Sequence, residues 1–134
     1  LTDDAFHVTR MHGAHAAPAD EGRSAGAALL LSSEFHGGTR WSDAPDRAPR
    51  VHAGVAGAFK TPSLRGVATA TRFGHGGVER TLAEVAELYG RGGAPAEDPR
   101  AVGVTEPWLV TFGETSQWSL TPFLQVLTGE PVLP

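Results

Sequence analysis

The chain has no cysteine among its 134 residues. That excludes disulfides, zinc sites of the cysteine type and covalent attachment of a haem through thiols of its own. It lacks a long apolar run. The longest, Ala25–Leu31, is far shorter than the ~20 residues a membrane helix needs, so no membrane span is expected. It has no excess of positive charge. Lys and Arg number 11 against 15 Asp and Glu, the net charge is −4 and the pI is near 5.8. Without a basic stripe, nucleic acid is not an expected partner. There is no initiator Met and no signal-peptide pattern, which reads as a processed product or a trimmed fragment.

Glycine and proline are plentiful, at 17 and 10 residues. They favour long ordered loops between short elements, and such loops need something to pack against because their backbone must be satisfied somewhere. A hydrophobic content of 40% with 19% charged residues marks a globular chain rather than a disordered one. The length suits a single domain spanning 1–134, with a modest core.

The most patterned stretch runs from Ala58 to Gly93. Thr61-Pro62 reads as an N-cap with proline at the first helical position, opening a short helical turn. Thr81-x-x-Glu84 is a capping box, with Leu82, Val85, Ala86 and Tyr89 on one apolar face. Gly90 to Gly93 then stop a helix expected over Thr81–Tyr89. Between the two starts lies Gly74-His75-Gly76-Gly77. The flanking glycines permit close approach of another surface, which suits a histidine presented to a cofactor. Taken alone, the same loop equally suits a histidine that caps a carbonyl.

Elsewhere the signals are thinner. Met11-His12-Gly13-Ala14-His15 holds a His-x-x-His pair, but Gly13 and the following Ala-Pro work against a helix that would put both rings on one face. A non-haem copper or zinc site built from His12, His15, His36 or His52 is one possible function class, with irregular spacing against it. Ser24–Ser33 fits a helix or a buried strand. Residues 35–49 read as loop, with Trp41 as a packing anchor or an electron relay. Arg47, Arg50 and His52 form a small basic cluster that fits a solvated loop. Pro107 argues against a central strand over Val102–Phe112. At the end, Thr121 as cap, Pro122 at the first position and Gly129 as stop predict a closing helix docked through Phe123, Val126 and Leu127. No Ser/His/Asp arrangement, phosphate-binding glycine loop or paired-carboxylate pattern is present.

The order of these motifs resembles one known family. Phe59-Lys60-Thr61-Pro62-Ser63-Leu64-Arg65, then His75-Gly76-Gly77, then Thr81-Leu82-Ala83-Glu84-Val85 is similar to the C-terminal haem domain of the bacterial di-haem cytochrome c peroxidases and methylamine-utilisation maturases. Thr2-Asp3-Asp4-Ala5-Phe6-His7 resembles the stretch that follows that family's haem-attachment motif. Asp20-Glu21-Gly22-Arg23 resembles its Asp-x-Gly-Arg linker, and Phe123 to Gly129 its closing helix. The resemblance implies a mainly α, loop-rich, cytochrome c-like haem domain. It implies peroxide or electron-transfer chemistry in the periplasm or another exported location. His75, His7, Arg65 and Phe73 would wall a c-type haem, with Arg65 near a propionate. Backbone carbonyls of Thr61 and Pro62 would contribute to a calcium site beside a second haem domain.

The chain departs from that pattern. It has no Cys-x-x-Cys-His, so haem would come from a preceding segment or another protein chain. Residues 74–80 hold neither the Met nor the Tyr that would supply the family's distal ligand, and Met11 lies far off in sequence. Gly66 stands where the family usually has Asn. A haem-free accessory subunit of a larger complex, derived from that fold, is the alternative.

Overall fold

A computed structural model describes residues 5–14, 19–44, 46, 53–110 and 113–129, with only the backbone for 53, 110 and 113–118. Two-residue strands β1 (Phe6–His7) and β2 (Phe59–Lys60) pair antiparallel, Phe6 opposite Lys60 and His7 opposite Phe59. Thr61 extends the pairing by donating its N–H to the Ala5 carbonyl, 3.1 Å away. Four helices follow the chain: α1 (Arg23–Leu31), α2 (Leu82–Gly90), α3 (Pro107–Val110) and α4 (Gly113–Val126). Short 3-10 turns lie at Ala53–Val55 and Val67–Thr69. No helix among the described residues is long and apolar enough to cross a membrane.

The expectation of a mainly α, cytochrome c-like haem domain is not met. Two of the helices have nine residues and one has four, and a small antiparallel pair ties the N-terminal segment to the middle of the chain. Most of the remaining described backbone is loop, turn or bend. The physical reason lies in the glycines. Gly57 and Gly103 pack face to face, both at positive φ. A Cβ on Gly57 would strike the Val102 carbonyl oxygen, and one on Gly103 the Ala56 carbonyl oxygen. Loop stacks directly on loop where a helical domain would place side chains.

α2 forms as its sequence dictates. The Thr81 hydroxyl accepts the Glu84 N–H at 3.1 Å. The Glu84 carboxylate reaches back one residue further than in the usual box, accepting the Arg80 N–H at 2.6 Å. At its end the Gly93 N–H bonds the Leu88 carbonyl and the Gly92 N–H that of Tyr89, a six-to-one closure with both glycines at positive φ. Leu82, Ala86 and Leu88 are buried. Leu88 joins Ala94 and Ala101 in a small core against which Met11 packs.

Two expected helix starts are displaced. Thr61-Pro62 opens no helix. Thr61 continues the strand pairing, and the turn that follows waits until the left-handed Gly66, which precedes Val67–Thr69. α4 begins well before Thr121 and carries Pro122 inside it. Proline costs the helix one N–H there, so α4 is held by packing on α2 rather than by propensity. Its docking residue is Leu124, 5% exposed, whereas Phe123 and Val126 are 51% and 79% exposed. The segment 23–31 resolves as helix α1, and Pro107 opens α3.

Candidate functional site

The histidine loop is closed on itself. Phe73 and Glu79 form an antiparallel bridge, the Phe73 N–H bonding the Glu79 carbonyl at 2.9 Å. The Gly77 N–H bonds the Gly74 carbonyl, and the Arg72 guanidinium donates to the Gly77 carbonyl at 3.1 Å. His75 therefore stands at the tip of a pinned loop. Its ring stacks on Phe59 of β2, with centroids 3.6 Å apart and planes 15° from parallel. Gly76 presses on the segment before α1. A Cβ there would come within 2.5 Å of the His12 carbonyl oxygen and the Ala14 nitrogen.

Below this loop a cavity of about 930 Å³ opens between β2, the 61–66 loop, α2 and α4. That is within the ~300–1,000 Å³ of small-molecule and cofactor sites. Phe59, Leu64, Leu82, Val85 and Leu124 give it apolar walls. His7, Arg65, Phe73 and His75, distant from one another in sequence, all line it, and so do Thr61 and Pro62. Of these, His75 and Arg65 are exposed, and His7 and Phe73 are half-buried. Lys60 and Arg72 join Arg65 as cations on the lining.

Three lining residues escape the sequence reading. Met11, remote in sequence, is brought to the wall by the packing of residues 8–13 against the loops at 93–106. There the Gly13 N–H bonds the Arg100 carbonyl, and the Arg10 carbonyl accepts the Ala94 N–H. Tyr89 reaches the cavity from α2, where helical periodicity marks it only as an apolar-face residue. Burial raises its phenol pKa, against a hydrogen bond with Thr9 that lowers it, and the Glu79 charge adds to the rise. Trp108, from the first turn of α3, also lines the cavity and meets His7 edge to face with centroids 5.9 Å apart. Trp41 does not line it. It lies on the surface between Phe35 and the Arg40 guanidinium.

The histidines differ in environment. Although exposed, His75 is held below the ordinary histidine pKa by partial desolvation of its ring, opposed by the charges of Asp20 and Glu79. The shift favours the neutral imidazole, the form that can donate a lone pair. Glu106 grips His7, with its two carboxylate oxygens 2.9 and 3.1 Å from Nδ1. Burial alone would raise the Glu106 pKa, but hydrogen bonds from Trp108, His7 and the Val8 N–H bring it below the usual range. His12 lies between two acids, with Nδ1 2.7 Å from Glu79 Oε1 and Nε2 3.4 Å from Asp98 Oδ2. The Arg100 guanidinium holds Asp98 well below the carboxylate range. His36 is spent locally, its Nδ1 accepting the Gly38 N–H at 3.0 Å. His15, His52, Arg47 and Arg50 fall outside the described residues. Among those described, no three His, Asp or Glu side chains are placed to hold a metal ion together, so nothing gathers His12 and His36 into one site.

The residues present fit a metalloporphyrin. The cavity is large and mainly apolar, two arginines, Arg65 and Arg72, line it for a pair of carboxylates, and His75, Met11 and Tyr89 offer nitrogen, sulfur and oxygen donors on its walls. Compared with known proteins, the chain matches no protein-family model, no curated protein and no solved structure.

Proposed function

We propose that this cavity is one wall of a haem site, and that the chain supports electron transfer or peroxide chemistry with haem supplied by a preceding segment or a partner chain. The observation that carries the reading is the convergence of His7, Arg65, Phe73 and His75 on one cavity of about 930 Å³. Haem when bound supplies the redox chemistry. The chain's own part is to bind and exclude water. His75, braced by Phe59, would be the nitrogen donor for the iron. Arg65 and Arg72 are the cations for propionates, where guanidinium pairs carboxylate bidentately. Leu64, Phe73, Leu82 and Leu124, which line the cavity, would give the group apolar surroundings. The reading places the chain in an exported compartment beside a haem-bearing partner. Calcium at the Thr61 and Pro62 carbonyls belongs to the same reading, and a rise in Tm on adding calcium tests it.

Titration of the purified chain with ferric haem is the direct test. A saturable Soret band, shifted by His75→Ala, is expected. A titration indistinguishable from haem in buffer sinks the reading.

A second reading, a haem-free accessory subunit, draws on a different surface. Leu29, Leu30, Phe35 and Trp41 are exposed on α1 and the loop after it. A partner covering them would take four large apolar side chains out of water, two of which, Phe35 and Trp41, already touch. Under that reading the native assembly is colourless, and the chain co-purifies with a partner across an interface above ~1,000 Å².

A further inference from the structure

Glu79 is the only buried carboxylate among the described residues, with 5% of it exposed. Its Oε1 takes a hydrogen bond from His12 Nδ1 at 2.7 Å. Its Oε2 is buried and has no hydrogen-bond partner. A buried carboxylate oxygen left this way is costly, and such sites call for an explanation. The cavity wall supplies one. A Cβ built on Gly74 would lie 2.7 Å from Oε2 and 3.1 Å from the Met11 methyl, and Gly74 and Met11 both line the cavity. The free oxygen therefore lies directly behind the wall, next to the loop tip that carries His75. Glycine at 74 leaves nothing thicker than backbone between them.

Among the described residues no lysine or arginine is paired with Glu79; its one ion-pair neighbour there is His12. Asp98 is neutralised by Arg100 at 2.8 Å. The Glu79 charge reaches His75 and Tyr89, both on the cavity lining, as well as Arg100. Of the cations on the lining, Lys60 comes from β2 and Arg65 from the loop after it, while Arg72 stands two residues before Gly74. A negative charge behind an apolar wall acts through low-dielectric material, where it is felt more strongly than through water.

We infer that Glu79 is a specificity-determining residue that makes the cavity prefer a planar ligand with a cationic centre over the same ligand with a neutral centre. The inference rests on the reading of the cavity as a metalloporphyrin site. Iron(III) in a porphyrin dianion leaves a net positive centre, whereas zinc(II) leaves a neutral one. The periphery, with its two carboxylates, is identical.

The test compares equilibrium binding of iron(III) and zinc(II) protoporphyrin to the unaltered chain and to Glu79→Gln at about pH 7.5, above the ordinary histidine range. Expected is a fall of roughly tenfold in the iron-to-zinc affinity ratio in Glu79→Gln, with zinc binding little changed. Glu79→Asp, which keeps the charge, should restore most of the ratio. If both porphyrins bind and the ratio is the same in Glu79→Gln, the inference fails and the haem reading stands. If neither binds the unaltered chain, both fail. Should Glu79→Gln not fold, gallium(III) protoporphyrin, with a cationic, redox-inert centre, decides on the unaltered chain. It should bind like the iron form, and binding no tighter than zinc overturns the inference.

Discussion

The His75 and Phe59 rings lie stacked at 3.6 Å, joining the tip of the 73–79 loop to the short strand that pairs with the N-terminal segment. The contact sets the orientation of the imidazole on the cavity lining. Phe59→Leu keeps an apolar side chain but removes the flat face. It should cost about 1 kcal/mol of stability, the usual worth of an aromatic pair beyond its area. It should also weaken ferric haem binding without abolishing it. Chemical denaturation and the Soret titration read the two effects, and unchanged haem affinity would show that the stack does not orient His75.

Gly76 has no room for a methyl group. The atoms a Cβ would meet are backbone of residues 12–14, which cannot rotate away. Gly76→Ala should cost about 2 kcal/mol, in the range for overpacked positions, and lower Tm by several degrees. Gly26, with nothing within 4 Å of its Cβ position, is the control, since Gly26→Ala in α1 should be neutral or stabilising.

Arg10 is the one described non-glycine residue with positive φ, at 50°. Its guanidinium donates to the carbonyls of Ala94, Pro95 and Gly103 at 3.0, 2.6 and 2.7 Å. The strained backbone is retained because the fork ties the N-terminal segment to two loops at once. Arg10→Lys keeps the charge and loses the fork, so it should destabilise by about 2 kcal/mol, close to the loss in Arg10→Ala. A denaturation series that finds Arg10→Lys neutral would remove the fork from the account.

Stability should fall on acidification in two stages. His75 has a lowered folded-state pKa, so as pH drops below about 6.5 the unfolded chain takes up the proton first and the folded state loses ground. Asp98 and Glu106 also have lowered pKa values, and their contribution is complete above the ordinary carboxylate range and lost as pH falls through the folded values. Tm measured from pH 7 to 5 should fall less steeply in His75→Gln than in the unaltered chain. Below about pH 4, Asp98→Asn should flatten the curve. Parallel curves in the upper window would contradict the partial desolvation assigned to His75.

The Thr81 cap is the simplest local test. Thr81→Ala should cost about 1 kcal/mol, and Thr81→Ser little.

Local chemistry determined α2. Hydroxyl, carboxylate and terminal glycines lie within a dozen residues of one another, and all satisfy backbone groups nearby, so the helix and its ends were legible from sequence. The motif order also singled out His7, Arg65, Phe73 and His75, which the structure brings to one cavity. What local signals could not decide was every feature that depends on a distant partner. Thr61-Pro62 has the chemistry of a helix start, but the Ala5 carbonyl claims the Thr61 N–H and the strand wins. Thr121-Pro122 has the same chemistry, but α4 gains more by packing along α2 than it loses at proline. Met11 and Trp108 became cavity residues only because loop–loop hydrogen bonds carry them there, and no periodicity encodes that. The fold class went the same way. Glycine and proline content foretold loops, but whether those loops wrapped helices or stacked on one another was settled by close approaches such as that of Gly57 and Gly103, which exist only once the chain has closed on itself.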